Sequence, residues 1–137
     1  MSRGLFAEHP VSFSAAMARG LFRAQIVSAR DGDTVVALID QALNTYRTLA
    51  LRVAGVDAPE IVGGTAESQA RATAARAWVD ANVVGRWALV RTYKSRTGRE
   101  RVSFDRYEAD VTVCEAGPEW DLADELVRAG HAVRVAQ

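Results

Sequence analysis

Three places in this 137-residue chain carry residue types whose spacing could do chemistry. One is Asp31-Gly32-Asp33-Thr34, at a tight turn between two β-rich runs. Another is Asp57-Ala58-Pro59-Glu60, at the end of a third run. The last is a pair of arginines, Arg52 and Arg106, each on the strand face opposite the apolar one. Carboxylates at turns and strand ends suit a hard cation such as Ca²⁺, which takes oxygen ligands in adaptable geometry. The plain alternative is a hairpin followed by a polar strand end. An outward strand arginine is ordinarily a solvated surface residue; its functional alternative is phosphate recognition by the planar guanidinium fork.

These residues need elements to bring them together, and the alternation of apolar and polar residues supplies them. Met1 to Gly20 reads as an N-terminal arm with a short helix over 12–18. Residues 21–30 form a strand, Asp31-Gly32 is a strong hairpin signal, and 34–40 is the second strand. Residues 41–44 turn, and 45–56 is the third strand. There Leu49, Leu51 and Val53 share one face, with Ala50, Arg52 and Ala54 on the other. Pro59 stops it and Gly63-Gly64 loosens the chain. Thr65 is the expected N-cap of a helix reaching Val84, with Ala70, Ala74, Ala77, Trp78 and Ala81 as its apolar stripe. Residues 87–93 form a fourth strand, 94–101 a polar loop, and 102–114 a fifth strand. In that strand Tyr107, Ala109, Val111 and Val113 face one way and Arg106, Glu108 and Asp110 the other. A helix over 119–129 and a short extended piece over 131–135 close the chain. Three strands, a helix, two strands and a helix suit a mainly β fold with some α. The expectation is a five-stranded OB-type barrel with two to three helices, in one domain over 21–137 that follows the arm 1–20.

Composition narrows the function classes. The chain is 49% hydrophobic and 25% charged, which is ordinary for a globular domain, and no run has the length of a membrane span. Formal net charge is zero. No global basic field therefore favours tight, non-specific DNA binding, whereas an enzyme needs positive charge only around the phosphate it cuts. Lys94 is the only lysine, so arginine carries nearly all positive charge. The single cysteine, Cys114, lies in an apolar run and excludes a disulfide framework. Glu8, His9 and Pro10 interrupt any leader-like segment. The expected location is cytoplasmic, with secretion or membership of a particle as the alternative.

The two acidic motifs and Arg52 resemble the staphylococcal nuclease (thermonuclease) family. The chain reads Asp31-Gly32-Asp33-Thr34 and then Arg52-Val53-Ala54-Gly55-Val56-Asp57-Ala58-Pro59-Glu60. It is similar to that family from about Leu21 to Val135, including Asp121 to Gly130 near its end. The family's third motif, a Gly-Arg pair in the last barrel strand, allows two registers in Phe104-Asp105-Arg106-Tyr107-Glu108-Ala109. One puts Ala109 in the catalytic arginine position and implies a dead enzyme. The other, preferred because it keeps Ala109 and Val111 in the core, puts Arg106 there.

The resemblance implies roles for these residues. Asp33, Asp57 and the Ala58 backbone carbonyl would bind Ca²⁺. Glu60 would orient or deprotonate the attacking water, and Arg52 and Arg106 would clamp the phosphate. The activity it implies is Ca²⁺-dependent hydrolysis of DNA or RNA to 3′-phosphate ends, with no histidine required, so His9 and His131 are assigned no role. Departures from the family's pattern are Asp105 in place of glycine, a short loop over 61–65, and Ala136 and Gln137 near where nucleotide-stacking tyrosines stand. Lys94, Arg96, Arg99 and Arg101 would track phosphates; a solvated hairpin tip serves equally well. Tyr93, Phe104 and Tyr107 are nearby aromatics better suited to the core. The competing expectation is a silent OB module that binds nucleic acid or protein without cutting, including one docked into a larger or phage-type assembly through the apolar residues of the arm.

Overall fold

Residues 5–60, 63–94, 96–103, 106–115 and 117–135 are described by a computed structural model. In chain order they form α1 (Phe13–Ala18), β1 (Phe22–Asp31), β2 (Thr34–Asp40), β3 (Tyr46–Val53), β4 (Val56–Asp57) and α2 (Ala66–Asn82). Then come β5 (Trp87–Thr92), β6 (Val102–Ser103), β7 (Arg106–Val113), β8 (Trp120–Asp121), α3 (Leu122–Arg128) and β9 (Val133–Arg134). Strands β3, β2, β1, β5 and β7 hydrogen-bond in that order, and β3 pairs in parallel with β7 to close the sheet. The result is a five-stranded closed mixed barrel with three helices, an OB-like architecture. Closure leaves none of these five strands with a bare edge, which is how a small β-protein avoids edge pairing.

The inward face is built by period-two alternation. Leu51 and Val53 from β3, Ala109, Val111 and Val113 from β7, and Val35 from β2 are all at most 1% exposed. A fully buried aliphatic side chain of this size contributes roughly 1.5–3 kcal/mol. The same alternation turns Arg52, Arg106 and Glu108 outward. Among the described residues no helix is long and apolar enough to cross a membrane.

Four expectations need correction, one being the helix over 119–129, which begins at Leu122 because Trp120–Asp121 pairs with β7 as β8. Residues 45–56 do not make one strand. β3 ends at Val53, Gly55 turns the chain at φ +79°, and β4 pairs with β9 through Val56↔Arg134 and Asp57↔Val133. The C-terminal strand draws β4 off the barrel, a pairing no local pattern announces. Residues 102–114 are likewise two elements, because β6 runs antiparallel to β7 through Val102↔Tyr107 and Ser103↔Arg106. Helix α2 buries Ala72, Ala75 and Val79; of the expected stripe only Trp78 packs against the core, while Ala70, Ala74, Ala77 and Ala81 are exposed. Its many alanines offer several nearly equivalent apolar faces, so tertiary contact chooses between them.

The segment before the barrel folds onto it. Phe6 is 3% exposed, stacked 5.5 Å from Tyr46, and Ala16 packs with Leu21, Leu89 and Cys114. The buried His9 ring makes a 2.9 Å hydrogen bond to the Ala88 carbonyl. Burial lowers its pKa more than that bond raises it, so the neutral imidazole is favoured.

Candidate functional site

The site residues gather at one end of the β2–β3 pair. Asp31 and Thr34 pair across the turn that joins β1 to β2, and Thr34 in turn faces Arg52 on β3. The Val53 amide donates to the Asp33 carbonyl at 2.8 Å, which seats the turn against the end of β3. Gly32 is required here by space. A Cβ at this position would lie 2.7 Å from the Ala75 Cβ of α2 and 3.1 Å from the Ala58 Cβ. The small residues therefore let the helix, the turn and the Asp57–Pro59 segment meet.

Asp33 is 5% exposed and its carboxylate is fully engaged. Oδ1 accepts from the Thr34 hydroxyl at 3.2 Å, and Oδ2 accepts from the Ala58 amide at 2.8 Å. Arg52 Nη2 lies 3.3 Å from Oδ2 of Asp33 and 2.6 Å from Oδ1 of Asp57. Burial pushes the Asp33 carboxyl above its ordinary pKa, while the Ala58 amide and Arg52 pull it down. Arg52 Nη1 donates to the Val53 carbonyl at 2.9 Å and to the Val56 carbonyl at 2.7 Å. Four contacts thus fix the guanidinium between the two carboxylates. Arg106 approaches from the neighbouring strand, its Nη1 donating to the Thr34 hydroxyl at 3.1 Å.

The structure thus brings Asp33, Arg52, Asp57, Ala58 and Arg106 to one corner. Ala109 is 0% exposed in the barrel core, opposite Val53, three residues from Arg106. Glu60 lies exposed beyond Pro59 and makes no hydrogen bond or ion pair among the described residues. A groove of about 690 Å³ borders the corner, with Asp57, Ala58 and Pro59 on one wall and Arg71, His131 and Val133 on others. Its lining comes from α2 and the C-terminal strand, and nothing in the acidic motifs signalled Arg71 or His131.

The basic loop divides. Lys94 pairs with Glu100 at 3.1 Å, and Arg101 pairs with Glu108 at 2.9 Å while lying 4.6 Å over the Tyr93 ring. Arg96 and Arg99 are exposed. Phe104, Asp105, Ala136 and Gln137 lie outside the described residues, as do Met1 to Gly4 of the arm and Ile61 of the short loop.

The oxygens at the corner are those of Asp33 and Asp57, two carboxylates that touch one Arg52 nitrogen, while the Ala58 backbone meets Asp33 through its amide. Carboxylate oxygens are of the type a hard cation such as Ca²⁺ takes, about six to eight of them, and here a guanidinium nitrogen already lies on both. No group of three or more His, Cys, Asp or Glu placed to hold a metal occurs among the described residues. Neither a protein-family model nor any curated protein matches the chain.

Proposed function

We propose that this chain is a Ca²⁺-dependent nuclease that hydrolyses phosphodiester bonds of DNA or RNA and leaves 3′-phosphates. The observation that carries the reading is the convergence of Arg52 and Arg106, from different strands, on the Asp33–Thr34 corner. The resemblance of the two acidic motifs to the staphylococcal nuclease family supports it.

Asp33, Asp57 and the Ala58 carbonyl would hold the cation. When bound, it supplies neutralising charge to the phosphate and polarises its P–O bonds. Arg52, oriented by two backbone carbonyls, would turn its Nη2 from the carboxylates to an equatorial phosphate oxygen once the cation holds them. Arg106 supplies the second fork and a donor to the departing 5′ oxygen. Glu60 takes a proton from water as the water oxygen attacks phosphorus. The bond from phosphorus to the 5′ oxygen then breaks, that oxygen takes a proton from a solvent water while Arg106 steadies it, and Glu60 returns its proton to solvent.

A second reading is an OB module that binds without cutting. It is favoured by Arg52 itself, whose guanidinium already bridges the two carboxylates that would hold the cation. Cleavage of a fluorescent single-stranded oligonucleotide separates the two, run between about pH 7 and 10 with Ca²⁺ and with EGTA. Cutting that needs Ca²⁺ and falls on the order of 10²–10³-fold in Arg106→Ala supports the nuclease, as does a similar loss in Glu60→Ala. Binding without cutting by the wild type establishes the silent module.

A further inference from the structure

We propose that the mouth of the barrel, distinct from the acidic corner, binds an uncharged six-membered heterocycle that carries an N–H donor beside a carbonyl acceptor. Phe22, Ile39, Leu49, Leu51 and Val90 wall a cavity of about 130 Å³. An apolar cavity of about 150 Å³ holds a benzene ring, so this one takes a single small ring. Its rim is polar, with Gln41, Arg47, Thr92 and Glu100. Arg47 also lies 6.0 Å over the Tyr107 ring, which lines the same cavity.

Glu100 gives the cavity its chemistry. Its Oε1 pairs with Lys94 at 3.1 Å, while its Oε2 is buried with no hydrogen-bond partner. A buried carboxylate oxygen without a donor is costly, and a ligand N–H would satisfy it. A cationic ligand is disfavoured, because Lys94 already neutralises Glu100 and Arg47 stands on the same rim. Arg47 instead offers donors to a ligand carbonyl. Donor and acceptor on one neutral ring is the chemistry of a pyrimidine base, either free or as part of a strand. The inference rests on the barrel mouth alone and stands whether or not the acidic corner cuts.

The test reads binding rather than cleavage. Uracil titrated into the wild-type protein should shift the backbone amide NMR signals of Leu49, Leu51 and Tyr107, and benzene should shift them far less. Glu100→Met removes the acceptor and should weaken uracil at least about tenfold, the loss expected for a hydrogen bond to a charged group. Leu49→Trp should fill the cavity and abolish the shifts, whereas Lys94→Met should retain binding. Release of uracil by a short uridine oligonucleotide would identify the source as a base in a strand; persistence of uracil would identify the free base. The proposal is overturned if uracil leaves these signals unmoved, if benzene matches it, or if Glu100→Met binds as the wild type does in a protein whose spectrum shows it folded.

Discussion

The two ends of the β2–β3 pair each bury an aspartate held by an arginine and a backbone amide, yet they differ in backbone strain. At the Thr34↔Arg52 end the buried Asp33 and its Arg52 have fixed partners. Asp33 accepts from Thr34 and Ala58, and Arg52 is held by two carbonyls and two carboxylates. At the Asp40↔Tyr46 end Asp40 is held too, its Oδ1 accepting from the Ala42 amide at 3.0 Å and its Oδ2 from Arg23 at 2.8 Å, but the turn beside it takes unusual backbone angles. Ala42, Leu43 and Asn44 have φ of +75°, +54° and +58°, a left-handed run that Asn44 tolerates but Ala42 and Leu43 disfavour. Leu43 points its side chain into solvent, 96% exposed. Both ends hold a carboxylate by directed polar contacts, and only the Asp40 end adds a left-handed backbone run. Directed contacts are what a phosphate site needs, since its donors must be in place before the substrate arrives.

Removing Arg52 should break this contrast most strongly. Arg52→Met leaves Asp33 buried beside Asp57 with no cation, and strips the Val53 and Val56 carbonyls of a donor. Urea denaturation should show a loss of about 2–4 kcal/mol. Gly32→Ala tests the packing beneath the same corner. A methyl 2.7 Å from the Ala75 Cβ forces the helix or the turn to shift, at about 1–3 kcal/mol. Adding Ala75→Gly should recover part of that loss, although glycine in a helix itself costs about 1 kcal/mol. An additive double variant would show that the contact does not strain the fold. The smallest effect belongs to the other end. Leu43→Gly should raise stability by about 0.5–1 kcal/mol, seen as a higher thermal midpoint, because glycine adopts positive φ freely and an exposed leucine gives up little packing.

The elements differ in how far local sequence reveals them. Alternation in β3 and β7 exposes their inward faces directly, because a one-residue slip would bury Arg52 or Arg106 in the core. Thr65 caps α2 as its type and position indicate, with its hydroxyl accepting from the Ser68 amide at 3.1 Å. The buried face of α2 is not legible, since alanine at nearly every turn leaves the moment weak. The split of residues 45–56 into β3 and β4 is hidden for another reason: the partner of β4 lies near residue 134. The docking of Phe6 and His9 is equally non-local, as their contacts are Tyr46 and Ala88.

The candidate site divides along the same line. Its residue types, the Asp-Gly-Asp-Thr turn and the arginine five residues before Asp57, are present in the chain order alone, and the alternation turns both arginines outward. Only the tertiary structure decides that Arg52 lies between Asp33 and Asp57, that Arg106 reaches Thr34 from 72 residues away, and that the loop's positive charge is half neutralised by Glu100 and Glu108. The physical reason is reach. Periodicity reports which face a side chain takes, whereas parallel pairing of β3 with β7 and closure of the barrel determine which faces meet.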